Sequence, residues 1–281
     1  MEIVRRVHSM REITRQARAR GHRVGFVPTM GSLHDGHMSL VRRVKEMSGL
    51  VVVSIFVNPT QFGRGEDYET YPRNLTGDTD RCVAEGVDVV FVPEAEEMYA
   101  ADACTWVEIE GLSARLEGAS RPGHFRGVAT VVLKLLNIVK PHVVAFGQKD
   151  AQQAVILERM ARDLLFDTEI LVLPIVRDDD GVALSSRNVR LSPAERRAAQ
   201  AIPRALKAAE AAIEQGERDA ATVVKAVREL LEAEPILRVD YVELVDTARL
   251  QPVALLGGEV LLAVAVYSGK TRLIDNVIVR P

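Results

Sequence analysis

The sequence predicts an α/β fold: a doubly wound parallel sheet followed by a smaller C-terminal α+β domain. Three observations carry this. Short, nearly continuous apolar runs such as "LVVVSIFV", "VDVVFVP" and "HVVAFG" alternate with stretches of helical spacing. Strands that are apolar on both faces belong to a parallel sheet covered by helices on each side. After about Pro174 the alternation stops, and an alanine-rich helical stretch precedes three strands. The expected division is therefore residues 1–174 and 175–281.

The first element reads as a helix, with Ser9 and Glu12 as an S-x-x-E capping box and Gly21 ending the run. "RVGFVPT" is a short strand ending at Pro28, and "MSLVRRVKEMS" then puts Leu40, Val41, Val44 and Met47 on one helical face. "LVVVSIFV" is a buried strand, "NLTGDTDRCVAEG" a helix ended by Gly86, and "VDVVFVP" a strand. A helix from about Gly127 to Val139, the strand "HVVAFG", a helix from Asp150 to about Leu165 and the strand "EILVLPIV" complete the first domain. In the second, "SPAERRAAQAIPRALKAAEAAIEQG" reads as one long helix, with Ser192 as N-cap, Pro193 in the first position and Glu195 closing a capping box. A further helix and the strands "LRVDYVELVD", "EVLLAVAVY" and "RLIDNVIV" follow.

Composition narrows the function classes. The 281 residues are 47% hydrophobic and 27% charged, the balance of a soluble protein with a sizeable core. A net charge of −3 gives no global basic field for nucleic acid or an anionic membrane. Cys82 and Cys104 match no disulfide or zinc pattern. There is no secretory leader, and the longest apolar runs are strand-length, so a cytoplasmic protein is expected.

In open α/β sheets ligands bind beyond the carboxyl ends of the strands. The loop "TMGSLHDGH" leaves such an end and opens a helix, and it holds His34 and His37 of only six histidines. A helix start gathers backbone N–H groups and dipole at one spot, which suits an anion, and two imidazoles add donors. The same stretch also reads as an ordinary turn or, more weakly, as a metal clip, although no third ligand completes a set. "FGQKDAQQ" offers Lys149 as a point charge, Asp150 as a helix cap and Gln153 one turn on; a solvated Lys and a capping Asp account for it equally well. "SIFVNPTQF" brings Asn58 and Gln61, neutral groups suited to hydroxyls and a carboxylate. In "DDDGVALSSRN" the Asp180-Gly181 pair marks a turn in an acidic, solvated loop, and Ser185, Ser186 and Arg187 form a grip for polyphosphate. There is no G-x-G-x-x-G, and "SGKT" at 268–271 lies between strands with Val264 where a P-loop glycine belongs, so it is a turn.

Taken together and in order, "PTMGSLHDGH", "SIFVNPTQF", "YPRN", "GHFRGVATVV", "FGQKDAQQ" and "ALSSRN" closely resemble the pantothenate synthetase (pantoate–β-alanine ligase) family over essentially the whole chain. "HDGH" is similar to the HxGH element of the wider nucleotidyltransferase superfamily, and "LSSR" takes the place of its KMSKS-type loop. The resemblance implies a Rossmann-like sheet, a C-terminal lid domain, a homodimer, and condensation of pantoate with β-alanine by ATP and Mg²⁺ through pantoyl adenylate. It implies an ATP site lined by Met30, Gly31, Ser32, Leu33, His34, Asp35, Gly36, His37, Gly147, Gln148, Lys149 and Asp150, closed by Val176, Leu184, Ser185, Ser186 and Arg187. His37 would be the principal catalytic residue, with His34, Lys149 and Arg187 sharing the phosphate charge. Gln61 and Gln153, with Asn58, would hold pantoate, and Gln61 would lie near β-alanine. The family frequently carries Glu where Gln148 stands. No residue is assigned to the metal. "GRGEDYETYPRN" reads either as a lid excluding water or as a surface loop without a role. Two other functions stay in view, a nucleotidyltransferase that retains the nucleotide on its product and a nucleotide-binding module without chemistry.

Overall fold

Apolar runs too short for helices become six parallel strands. The computed structural model describes residues 1–281 and separates into two units: 1–147 with 156–174, and 148–155 with 175–281. In chain order the first stretch holds β1 (Glu2–Val4), α1 (Val7–Ala19), β2 (Val24–Thr29), α2 (Asp35–Glu46), β3 (Leu50–Ile55), α3 (Leu75–Ala84) and β4 (Val89–Phe91). There follow α4 (Ala95–Met98), α5 (Glu117–Ser120), α6 (His124–Val139), β5 (Val143–Gly147), α7 (Ala151–Asp163) and β6 (Glu169–Leu173). The strand order is β1-β4-β3-β2-β5-β6, and every pairing is parallel.

Strand period divides the core into two layers, because successive side chains point to opposite faces. Phe26, Val52 and Val144 face one way, onto Val128 and Leu135 of α6. Val27, Val51, Val53 and Val143 face the other way, onto Met38, Val41 and Val44 of α2. Phe26, Val41 and Val44 are fully buried, and each such side chain contributes roughly 1.5–3 kcal/mol. The chain lays β3 and β4 on one side of β2, and β5 and β6 on the other. This reversal puts a topological switch point between β2 and β5, where ligand crevices form in such sheets.

The second unit carries α8 (Pro193–Ala199), α9 (Ala201–Glu214), α10 (Ala220–Glu232), β7 (Leu237–Asp246), β8 (Val260–Ser268) and β9 (Thr271–Val279). The three strands form an antiparallel sheet in the order β7-β8-β9. Ile202, Leu206, Val227 and Leu231 from the helices pack with Leu244, Leu262 and Val264 from the strands. "SGKT" is the turn between β8 and β9, with Ser268 opposite Thr271. No helix of the structure is long and apolar enough to cross a membrane.

Several local expectations are corrected. The first element is the strand β1, three residues long and too short to show an alternation. Ser9 and Glu12 form no capping box: α1 starts at Val7 after Arg6, and its first N–H donates to Glu97 Oε1 (2.9 Å). Glu12 is turned to Arg15 and Gln16 instead. The distant Glu97 does the work of a local cap, which no sequence window reveals. The long alanine-rich helix breaks at Gln200 into α8 and α9. Pro203 explains this, since it lacks an N–H for the preceding turn and its ring crowds that turn's carbonyl. The Ser192–Glu195 capping box with Pro193 is present as read.

Candidate active site

The histidine loop leaves the carboxyl end of β2 and enters α2 earlier than its apolar period indicates, so "DGH" forms the helix's first turn. His34 is the N-cap and His37 the third helical residue. The His37 N–H donates to the His34 carbonyl (2.8 Å), while the His34 N–H donates to His37 Nδ1 (3.3 Å), the return half of a capping box. Their ring centroids are 4.1 Å apart. Because Nδ1 of His37 is an acceptor, its ring N–H is on Nε2 when the imidazole is neutral. This bond thereby selects the tautomer and sets two imidazoles at a helix N-terminus, where the dipole favours an anion.

The loop's own backbone is held from below. Gly31 N–H donates to Thr29 Oγ1 (3.1 Å), and the N–H groups of Ser32 and Leu33 donate to the two oxygens of Asp78 at 2.8 and 2.7 Å. Asp78 sits on α3 and is 3% exposed. Gly31 and Ser32 both take positive φ, 82° and 52°, and a Cβ at Gly31 would lie 2.9 Å from Asp78 Oδ2. Three donors expected to face an anion are therefore spent on the protein, and Ser32 and Leu33 can meet a ligand only through other atoms. Arg81, three residues after Asp78 on α3, bonds Asp35 at 3.0 Å. The sequence reading missed Asp78; its signal was an acid four positions before Cys82, on the face of α3 that is buried.

Beyond β3, Asn58 and Gln61 form a connected floor. Gln61 Nε2 donates to Met30 Sδ (3.1 Å), and its Oε1 accepts from Asn58 Nδ2 (3.0 Å). Asn58 is 1% exposed and fully occupied: it also donates to the Gly127 carbonyl and accepts from Thr60 and Tyr99. It acts by holding Gln61 rather than by meeting a ligand. The segment at 63–74 is tied down through Glu66, which receives Arg121 Nη2 (2.6 Å) and Nε (2.9 Å). Burial pushes the Glu66 carboxyl upward, but the Arg121 bond and charge, helped by Gly63, outweigh it and hold the group below its ordinary range.

His124 completes this cluster. Its Nδ1 lies 2.8 Å from the Gln61 carbonyl and its Nε2 3.1 Å from Arg121 Nη1, so the ring is neutral with its proton on Nδ1. Burial and the Arg121 charge push its pKa down to about 4 from 6.5, against the opposing pull of the Gln61 carbonyl, Glu117 and Glu66. The unfolded chain therefore binds a proton between these values that the folded protein refuses, and stability falls as pH falls through that window. About 2 kcal/mol should be lost between pH 7 and pH 5. Urea unfolding at both values checks this. His124→Asn, which keeps a donor for the Gln61 carbonyl and does not titrate, should flatten the loss; an unchanged slope would assign it to other groups.

In the second unit Gln148, Lys149 and Asp150 form one 3-10 turn directly after β5, and Gln153 lies in the first turn of α7. Gly147 ends β5 itself. The Leu184 N–H donates to the Val176 carbonyl (3.0 Å). The Arg187 N–H donates to Ser185 Oγ (3.2 Å), and Asn188 Nδ2 donates to the Ala183 carbonyl (3.0 Å), so Ser185–Arg187 rides on a braced hairpin. The acidic run before it is not merely solvated. Arg196 bonds Asp180 (2.7 Å) and Asp178 (2.5 Å), and its hydrogen bond and charge lower the Asp180 pKa despite partial burial.

The chain is similar to known proteins over nearly its whole length. The family model described as pantoate-beta-alanine ligase matches residues 2–278. A pantothenate synthetase of Pelotomaculum thermopropionicum is 52% identical over 278 residues, 99% of each chain. One of Heliobacterium modesticaldum is 53% identical over 279 residues, 98% of this chain and 99% of that one. The solved pantothenate synthetase of Thermus thermophilus superposes with a TM-score of 0.94 at 45% identity, covering 100% of both chains. The pantoate-beta-alanine ligase of Francisella tularensis, solved in complex with beta-gamma ATP and beta-alanine, has a TM-score of 0.80 at 34% identity, covering 99% of this chain and 97% of that one.

Proposed function

Because this chain belongs to the pantoate–β-alanine ligase family of amide-forming enzymes, we propose that it condenses pantoate with β-alanine through a pantoyl adenylate, releasing pyrophosphate and then AMP. The observation that carries the reading is the His34–His37 pair at the start of α2, at the carboxyl end of β2, where the His34 N–H donates to His37 Nδ1. A carboxylate oxygen of pantoate attacks the α-phosphorus of ATP, forming one O–P bond as the bond to the β-phosphate bridge breaks. The amine of β-alanine then attacks the acyl carbon. The C–N bond forms, the acyl C–O bond breaks, AMP leaves with that oxygen, and the amine loses a proton.

The first step brings an anion up to a polyanion, so donors preset for the accumulating charge matter most. His37, with Nε2–H presented by the bond to its Nδ1, is assigned the growing charge at the α-phosphate. His34, Lys149 and Arg187 are assigned the rest of the triphosphate, and Gln61 and Gln153 the hydroxyls and carboxylate of pantoate. Neutral amides bind these groups without placing a competing buried charge beside the nucleophile. Mg²⁺ is expected to enter on ATP and reduce the charge of its phosphates. The Francisella complex, which holds beta-gamma ATP and beta-alanine, supports ATP and β-alanine as ligands here.

Isotope transfer tests the route. With both carboxylate oxygens of pantoate carrying ¹⁸O, one label is expected in AMP and none in pyrophosphate. Label in inorganic phosphate, with ADP as co-product, would mean attack at the γ-phosphorus and would overturn the adenylate mechanism. Exchange of labelled pyrophosphate into ATP with pantoate alone would show that activation precedes the amine.

A further inference from the structure

Two adjacent residues of β9, outside every motif, tie down two of the segments assigned to ATP. Asp275 and Asn276 are 3% and 4% exposed. As neighbours on a strand they point to opposite faces, so each serves a different segment. Asn276 Nδ2 donates to the carbonyls of Gln148 (2.9 Å) and Lys149 (3.1 Å), and its Oδ1 accepts from Gln148 Nε2 (3.2 Å). Asp275 accepts from Arg177 Nη1 (2.6 Å) and Nη2 (3.0 Å) and from the Asn276 N–H (2.8 Å). Arg177 also donates to the Gly181 carbonyl (3.1 Å) and pairs with Ala183 across the hairpin that carries Ser185–Arg187.

We propose that Asp275 and Asn276 are positioning residues for ATP use, fixing the Lys149 turn and the Ser185–Arg187 hairpin as one piece. The proposal rests on the reading that these two segments meet the phosphates. It requires an amide at 276, since only an amide donates to two carbonyls and accepts from a third group at once. A carboxylate there would face both carbonyls acceptor to acceptor. It fits an amide at 148 as well, since Gln148 Nε2 donates to Asn276 Oδ1. A Glu at 148 has no N–H for Asn276 Oδ1, and turning the Asn amide over to serve it would sacrifice both carbonyl bonds.

Three variants test this in the full chain. Asn276→Asp and Asp275→Asn should each weaken binding of a β,γ-non-hydrolysable ATP analogue, measured calorimetrically without other substrates, by about tenfold or more. Each should raise KM for ATP while leaving KM for β-alanine within about twofold, since the tethered segments are assigned to ATP. Thr271→Val, at the buried start of β9 and away from both segments, controls for general loosening of the strand and should shift the thermal midpoint without changing ATP binding. If Asn276→Asp does not fold, Asn276→Ser, which keeps one donor and adds no charge, takes its place with the same expected direction. Variants that fold and bind the analogue like the wild type would overturn the proposal. So would losses that merely follow the thermal midpoint and appear equally in Thr271→Val. A wild-type protein that does not bind the analogue would instead overturn the reading of the ATP site, and the positioning role with it.

Discussion

His37→Ala is expected to slow adenylate formation by about 10²–10³, or about 2–4 kcal/mol, while the fold survives. Two roles of the ring have to be separated. As a cap it accepts one long bond from the His34 N–H (3.3 Å), and losing a cap costs on the order of 1 kcal/mol of stability. In the proposed role as a donor it would present Nε2–H to charge that grows only in the transition state, so its loss should appear in kcat more than in KM. Pyrophosphate release at saturating ATP and pantoate, together with a urea titration, measures both. A variant with the wild-type rate would remove His37 from the chemistry. A variant that unfolds would make the loop's role structural.

Asp78→Ala is expected to cost about 3 kcal/mol of stability. The carboxylate is 3% exposed and accepts the N–H groups of two consecutive residues at 2.8 and 2.7 Å. Removing it leaves both donors without their acceptor, at about 1–3 kcal/mol each, partly offset because a carboxylate is no longer buried. The turn it supports also loses its restraint: Ser32 at φ 52° has no intrinsic preference for that conformation. Activity should therefore fall with stability, and Asp78→Asn should recover part of each, since its amide oxygen still accepts one N–H. Chemical denaturation beside steady-state rates checks both. A loss below about 0.5 kcal/mol would show that the loop holds its own shape.

Much of the site was legible because its signals are local. A strand end, a glycine pair and two histidines marked residues 27–37, and the family pattern joined that stretch to Gln61, Lys149 and Arg187. The break in the alanine-rich helix was misread: Pro203 lies inside the run, but the alanine content masked it and the stretch reads as one helix. What could not be read was how each polar group is spent. Asn58 looked like a ligand-binding amide, and only its four protein partners make it a support for Gln61. Asp180 looked solvated until Arg196, sixteen residues away, took its carboxylate.

By itself the sequence determined the alternation of strands and helices, the α/β and α+β classes, the motif-bearing loops and the family. These follow from side-chain period, capping and turn chemistry, which act over a few residues. Tertiary structure alone decided which donors in the histidine loop remain for a ligand and which residues aim the others. Asp78 reaches Ser32 and Leu33 across 46 and 45 positions, and Asn276 reaches Gln148 across 128. Such bonds depend on the order of strands in each sheet and on which elements pack together. Periodicity says which face of an element is buried, not which element covers it.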